Sequence, residues 1–143
     1  MPAYPTFSTR VIGQAEKTLN AILGRELAGT GLTEPQWVIL TLAVTGGGAA
    51  DRDRFTSMVA DALKISEAEA KARVADMVTA QQLNITGSAV TVTGTAQQLH
   101  SRIRAAITEI TQQLWGDLPA EDLATAGRVL AIITERANAE LAR

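Results

Sequence analysis

The sequence predicts a mostly α-helical fold with a small β-hairpin, in the order α-α-α-α-β-β-α-α. Apolar residues recur at helical spacing along most of the 143 residues. Aromatic residues make up only 3% of the chain, so Ala, Leu, Ile and Val must build the core, and this composition favours helices. One uncharged stretch, LNITGSAVTVTG at 83–94, does not show this helical spacing. Its two short runs meet at Gly87-Ser88, as the strands of a β-hairpin do.

The first two helices are marked by a glycine stop and a capping motif. Apolar residues between 11 and 23 form a stripe at helical spacing, and GTG at 29–31 ends the first helix. The motif TEPQ at 33–36 predicts the start of the second helix, because Thr can cap a helix, Pro suits its first turn and Gln can complete a capping box. Gly46-Gly47-Gly48 stops this helix and is expected to be a flexible connector.

The middle of the chain holds a short helix, a longer helix and the hairpin. Asp51-Arg52-Asp53-Arg54 is expected to be a charged loop that leads into a short amphipathic helix with the sequence FTSMVADALKIS. A second capping box, SEAE at 66–69, opens a helix that is expected to run to about Gln82. After the hairpin, Thr93 is expected to cap a long fifth helix, and a turn at 116–119 separates it from the last helix.

Together these elements predict a winged helix-turn-helix within a single domain, 1–143. Two short helices, a turn near Lys64-Ile65, a longer helix and a hairpin are the parts of that motif, which we place at 33–93. The helices on either side, at 8–30 and 94–143, have long and narrow apolar faces. In so small a chain such helices often pack against a second copy, and a two-fold dimer is the simplest closed arrangement. The sequence therefore predicts a homodimer held together by helices from both chain ends.

The composition and the lack of certain motifs exclude several classes of function. The formal net charge of −2 gives no overall attraction to polyanions, so nucleic-acid binding would need a local basic surface. The absence of Cys excludes disulfides, thiolate metal sites and Cys nucleophiles. There is no catalytic motif and no His–carboxylate pairing, so we expect no enzyme, no metal and no cofactor. The start MPAYPTFSTR lacks the apolar core of a signal peptide, and no stretch is long enough for a membrane span, which favours a cytoplasmic protein.

Four short motifs resemble the MarR family of bacterial winged-helix transcriptional regulators, and the resemblance runs from about residue 8 to 141. The most specific motif is GLTEPQWVIL at 31–40, and LGREL at 23–27, MVADALKIS at 58–66 and VADMV at 74–78 follow the family's order. The resemblance implies a homodimer whose two winged lobes bind palindromic DNA. It also implies that a small aromatic acid or a phenolic compound controls DNA affinity. Oxidant sensing in this family mostly uses Cys, so the absence of Cys disfavours that branch.

Three departures from the family pattern concern the DNA-binding surface. Gln82 stands where the family usually has a glycine, between the recognition helix and the wing. The wing tip is Gly87-Ser88-Ala89 in place of the usual Asp-x-Arg pair, so this wing offers only hydrogen bonds to phosphate. The segment 33–93 has five basic against seven acidic side chains, a net charge of −2. The basic residues are Arg52, Arg54, Lys64, Lys71 and Arg73, and the acidic ones are Glu34, Asp51, Asp53, Asp61, Glu67, Glu69 and Asp76.

Candidate DNA contacts lie mainly on the predicted recognition helix, 66–82. Arg73 aligns with a common DNA-contacting position of the family and could pair with guanine through two hydrogen bonds. Ala70 and Lys71 are expected beside it, on the side away from the core. The alternative is that Lys71 and Arg73 form ion pairs with Glu67 and Asp76 along the helix, and that the arginines at 52 and 54 belong to a solvated loop. The full predicted set is Arg73, Lys71, Ala70, Ser66, Arg52, Arg54 and Ser88.

Four residues are candidates for a ligand-binding site. Trp37, Met58, Ile12 and His100 would together make a site lined by aromatic and apolar side chains. The alternative is that Trp37 is a core residue and that His100, the only histidine, is a partly buried structural residue.

The sequence leads to two hypotheses of function. The first is a homodimeric MarR-like transcriptional regulator that binds palindromic double-stranded DNA, with an affinity modulated by a small aromatic or phenolic ligand. The second is a MarR-like fold with a degenerate DNA face that serves as a small-molecule-binding or protein-interaction module. The acidic lobe and the uncharged wing motivate the second hypothesis.

Overall fold

The computed structural model describes residues 3–46 and 50–143, and its elements confirm the predicted fold class. Gly47 and Gly48 of the predicted connector lie outside the described residues. The elements in chain order are α1 (Thr9–Leu27), α2 (Glu34–Thr45), β1 (Ala50–Asp51), α3 (Arg52–Leu63), α4 (Glu67–Thr79), β2 (Leu83–Thr86), β3 (Ala89–Val92), α5 (Gly94–Trp115) and α6 (Ala120–Leu141). None of these helices is long and apolar enough to span a membrane.

Two compact units make up the chain, Met1–Ile107 and Thr108–Arg143, with the boundary inside α5. The first unit contains the hydrophobic core. Its largest fully buried side chains come from α2, α3, α4 and β2, and they are Phe55, Ile39, Leu40, Met77, Leu83 and Val59. In the second unit, α6 has no fully buried residue.

Side-chain caps mark the starts of α2, α3 and α4. The capping box at α2 is present, since the Thr33 hydroxyl accepts from the Gln36 backbone N–H at 3.3 Å and the Gln36 side chain accepts from the Thr33 N–H at 2.9 Å. At α4, the Ser66 hydroxyl accepts from the Glu69 N–H at 3.1 Å. The predicted charged loop 51–54 is instead a cap and a first turn, because the Asp51 carboxylate accepts from the backbone N–H groups of residues 53 and 54 and so starts α3 there.

The two turns that border α4 each hold a residue with positive φ. Lys64, between α3 and α4, has φ 56° and ψ 47°. Gln81, after α4, has φ 60°. The Gln82 N–H donates to the Met77 carbonyl and the Gln81 N–H to the Val78 carbonyl, both at 3.0 Å, which is the Schellman pattern that ends a helix. The helix therefore stops at Thr79, short of the predicted Gln82, and the left-handed position that suits glycine falls on Gln81.

The predicted hairpin is present, but it belongs to a three-stranded antiparallel sheet with the order β1-β3-β2. In the hairpin, Leu83 pairs with Val92 and Thr86 with Ala89, around a tip where Gly87 has φ 64°. Strand β1 was not predicted from the sequence, and its two residues pair with Val90 and Ala89 of β3. This pairing joins the wing to the start of α3.

We expect Gln81→Gly to stabilise the protein. A left-handed conformation costs an L-residue about 1–2 kcal/mol, and the extra entropy that glycine gives the unfolded chain offsets about half of this. The free energy of unfolding should therefore rise by about 0.5–1 kcal/mol in urea titrations followed by tryptophan fluorescence. The control is Gln14→Gly in the middle of α1, which should lower it by about 1 kcal/mol. Equal destabilisation by both variants would contradict the left-handed assignment of Gln81.

Candidate nucleic-acid interface

The core face of α4 is set by three buried residues. Ala70 and Met77 are fully buried, and Val74 is 3% exposed. Ala70 was predicted to lie on the DNA side, and this prediction is wrong. Because residues along a helix are about 100° apart, Ala70 falls on the same side as Val74, one turn earlier, where it packs into the core and is out of reach of a base.

The side of α4 opposite this core face presents small and acidic residues. Ala72 and Asp76 lie within roughly 20° of the direction opposite Val74, and Glu69 lies within roughly 40° of it. All three are exposed. The part of α4 that points furthest outward therefore carries two carboxylates and no cation.

The cations of α4 flank this outward face. Lys71 and Arg73 are exposed, on opposite sides of the helix. Within the described chain neither side chain forms an ion pair, so the alternative in which they pair with Glu67 and Asp76 is wrong. The ammonium and the guanidinium are both available to an outside anion.

A groove of about 290 Å³ runs between the starts of α3 and α4. Its lining residues are Arg52, Asp53, Thr56, Ser57, Glu67, Ala68 and Lys71. Arg52 comes from the first turn of α3 and Lys71 from the second turn of α4, so the helix-turn-helix brings two cations to one groove. The carboxylates of Asp53 and Glu67 share it, which lowers its net charge to zero.

The wing tip lies beside the first turn of α3. The Arg52 backbone N–H donates to the Ser88 carbonyl at 2.6 Å, next to the pairing of β1 with β3. The structure thus brings together Arg52 and Ser88, two predicted DNA contacts that are far apart in sequence. Arg54 is exposed in the same first turn, while the Ser66 hydroxyl serves as the cap of α4.

Trp37 and His100, two of the four predicted ligand residues, stack on each other. Their ring centroids are 4.7 Å apart and the ring planes differ by 16°. Trp37 is 8% exposed and His100 3%. Thr41 was not among the predicted residues, but its hydroxyl is 3.2 Å from His100 Nε2 and lies one helical turn after Trp37. This arrangement orients the imidazole from two sides.

The other two predicted ligand residues are less buried. Met58 is 37% exposed on α3, and Ile12 is half-buried on α1. The hypothesis of a four-residue ligand site stays a prediction. Among the described residues, no group of three or more His, Asp or Glu side chains could hold a metal ion.

Burial lowers the pKa of His100 below its ordinary value of 6.5, and the nearby Arg104 guanidinium lowers it further. Both causes disfavour the imidazolium. His100 is therefore neutral at pH 7, and its Nε2 can either donate to the Thr41 hydroxyl or accept from it.

Comparison with solved structures shows the same fold along nearly the whole chain. A MarR protein from Peptoclostridium difficile is 13% identical, with a TM-score of 0.74 over 98% of this chain and 97% of that one. Ligand-free NadR is 18% identical, with a TM-score of 0.77 over 93% of this chain and 98% of that one. Bordetella bronchiseptica BpsR, whose DNA binding 6-hydroxynicotinic acid regulates, is 19% identical, with a TM-score of 0.69 over 94% of this chain and 98% of that one. The chain therefore has the fold of the MarR-family transcriptional regulators.

Comparison by sequence, in contrast, finds no related family or protein. No protein-family model matches the chain. No curated protein matches it either.

Stability should fall at acid pH because of His100. Its pKa is lowered in the folded state, so the unfolded chain binds the proton more readily, and this part of the stability is lost as pH falls below about 6.5. We expect the free energy of unfolding to drop more between pH 7.5 and pH 5.5 in the parent protein than in His100→Asn. Urea titrations at both pH values measure the drop in the free energy of unfolding for each protein. Equal drops in the parent and in His100→Asn would contradict the role of His100.

Proposed function

We propose that this chain, which has the MarR fold, is a homodimeric transcriptional regulator that binds a short palindrome of double-stranded DNA through α4. The observation that carries the proposal is the groove between the starts of α3 and α4, where Arg52 and Lys71 come together without an ion pair within the described chain. In a helix-turn-helix this surface faces the DNA backbone.

Phosphate contacts from α3 and from the flanks of α4 supply the affinity in this proposal. Each copy presents three exposed cations for phosphate, Arg52, Arg54 and Lys71, while Arg73 is placed against a base. Two copies would reach the ~6–10 phosphate contacts of a DNA-binding protein. The Ser88 carbonyl accepts a hydrogen bond from the Arg52 backbone N–H, so the wing tip lies beside a basic residue of α3. The wing tip itself contains no basic residue.

The dimer rests on apolar side chains left exposed near both chain ends. On α1 and before it, Leu19 is 41% exposed and Phe7 54%. The exposed large apolar residues from the end of α5 onwards are Leu114, Trp115, Leu118, Leu130, Ile132 and Leu141. So many exposed apolar residues on a small chain favour a protein partner. A second copy of the chain is the simplest partner, because a two-fold dimer buries the same apolar surface on both copies.

The effector in this proposal is a small aromatic or phenolic compound that binds at Trp37 and His100, with Met58 and Ile12 as further contacts. NadR has been solved with 4-hydroxyphenylacetate, which supports this class of ligand. An aromatic ring would take the place of one partner in the Trp37–His100 stack. Binding would then change the separation of the two α4 helices, so that they no longer fit successive major grooves.

A second candidate function is a small-molecule-binding or protein-interaction module without DNA binding. The outward face of α4 favours it, because the carboxylates of Glu69 and Asp76 lie where a recognition helix approaches the acceptor-rich major groove. Repulsion between these carboxylates and the DNA phosphates would lower the affinity for DNA.

DNA from upstream of the chain's own gene should bind with a steep salt dependence. We expect Arg52→Ala and Lys71→Ala each to weaken binding and to reduce the slope of log K against log salt by about two units, since each removes one phosphate-binding cation from both copies of the dimer. Arg73→Ala should weaken binding by about 1–3 kcal/mol at one base pair of each half-site. Fluorescence anisotropy over a salt series measures both effects, with Lys17→Ala on α1 as the control.

The acidic face of α4 separates the two candidate functions. If α4 binds DNA, Glu69→Gln with Asp76→Asn should tighten binding, because two repulsive charges are removed from the interface. Absence of binding by the parent protein at low salt, while its dimer is intact, would contradict the regulator and support the module.

Leu130→Asp should dissociate the dimer. Burial of a leucine contributes about 1.5–3 kcal/mol, and the change acts in both copies, so the dimer should weaken by at least about a hundredfold. Analytical ultracentrifugation over a concentration series gives the dissociation constants. The control is Ala139→Asp, on the opposite side of α6 from Leu130, which should leave the dimer intact. A dimer unchanged by Leu130→Asp would show that this face of α6 is not the interface.

A further inference from the structure

A second cavity, of about 310 Å³, lies in the first unit between the α1–α2 connection and α5. Its lining residues are Gly29, Thr30, Thr95, Gln98, Leu99 and Arg102. We propose that this cavity binds a small organic acid, with its carboxylate on Arg102 and its apolar part against Leu99.

Arg102 supplies the charge of the site. It is exposed, and no ion pair or side-chain hydrogen bond engages it within the described chain. None of the other lining residues is charged, so the cavity carries one positive charge and no carboxylate. The planar guanidinium offers two parallel N–H groups, which match the two oxygens of a carboxylate.

Two polar side chains lie along the same side of α5 as Arg102. Thr95, Gln98 and Arg102 are three and four residues apart, so they follow one another along one strip of the helix. Neither Thr95 nor Gln98 has a side-chain hydrogen bond to another described residue. Both can therefore bond to a ligand without breaking an existing contact.

The opposite wall is fixed by the α1–α2 connection. The Thr30 hydroxyl donates to the Leu27 carbonyl at 2.6 Å and accepts from the Leu32 N–H at 3.2 Å, so it holds the turn in place. Gly29 has φ 80°, which suits glycine, and a Cβ there would meet no atom within 4 Å. The wall thus presents backbone and leaves the space open.

A single charge and an apolar wall select the class of ligand. Leu99 is half-buried and packs against the core, so its free side offers an apolar surface inside the cavity. One guanidinium balances the single charge of a monocarboxylate. A phosphate monoester carries nearly two negative charges, and Arg102 alone would leave part of that charge unbalanced. The volume is at the small end of ligand cavities.

This cavity is separate from the Trp37–His100 stack. His100 is two residues from Gln98 and from Arg102, so its side chain leaves α5 about 200° away from theirs. Acid binding here is also independent of DNA binding, because it concerns the protein alone.

The test is a titration of the isotope-labelled protein with acetate, hexanoate and benzoate at low salt, followed by the backbone amide shifts. We expect saturable shifts confined to 29–30 and 95–102, tightest for an acid with an apolar part. Arg102→Gln should weaken binding by at least about tenfold, because the hydrogen bonds from a charged donor are removed. Benzamide, the neutral counterpart of benzoate, should bind more weakly by a similar factor.

Two further variants serve as controls. Arg10→Gln, the same change at an exposed position of α1, should leave binding unchanged, and Gln98→Ala should weaken it without altering the charge. The proposal is overturned if no acid binds, if Arg102→Gln binds as tightly as the parent, or if the shifts map to Trp37 and Thr41 of α2 and not to 29–30. Inorganic phosphate binding as tightly as benzoate would also overturn the choice of an organic acid.

Discussion

One threonine holds the end of α4, the wing and the start of α5 together. The Thr93 hydroxyl donates to the Gln81 carbonyl at 2.8 Å and accepts from the Ala96 N–H at 3.2 Å, while its backbone N–H donates to the Gln82 carbonyl at 3.2 Å. The left-handed Gln81 is what turns its carbonyl toward Thr93. The direction in which α5 leaves the sheet is therefore coupled to the way α4 ends. The predicted cap at Thr93 is confirmed, and it also ties α5 back to the end of α4.

The sheet makes the second connection, at the other end of the wing. Because β1 pairs with the central strand β3, the tip at Ser88 is bonded to Arg52 in the first turn of α3. Arg52 also lines the groove that contains Lys71 of α4. The wing, α3 and α4 thus meet around a groove in which two cations are balanced by two carboxylates, while the outward face of α4 carries acidic side chains and no cation. The cations therefore lie beside the face of α4 that points outward, which in the proposed function favours contacts with phosphate over direct reading of bases.

How much the sequence predicts depends on whether a feature is local. Capping motifs locate the starts of α2 and α4, and the run around Gly87 locates the hairpin, because these signals involve neighbours in the chain. Ala70 was misplaced since alanine fits either face of a helix, and only the packing around Val74 decides. β1 has two residues, too few for any pattern, and it forms through its register with β3. The grooves at Arg52 and Arg102 bring together residues from separate elements, which no spacing in the chain reveals.

The same helix, α5, presents different chemistry on its two sides. One side carries His100 against Trp37 and Thr41, and the other carries Thr95, Gln98 and Arg102 along a cavity. Both sets lie within the first three turns, directly after Thr93, and the helix continues past Ile107 into the second unit. A ligand on either side therefore contacts the element whose first turn is bonded to the end of α4. Any shift of α5 must either carry that end with it or break the hydrogen bonds of Thr93, each of which contributes about 1 kcal/mol. Ligands at the two sites would thus act through one set of bonds.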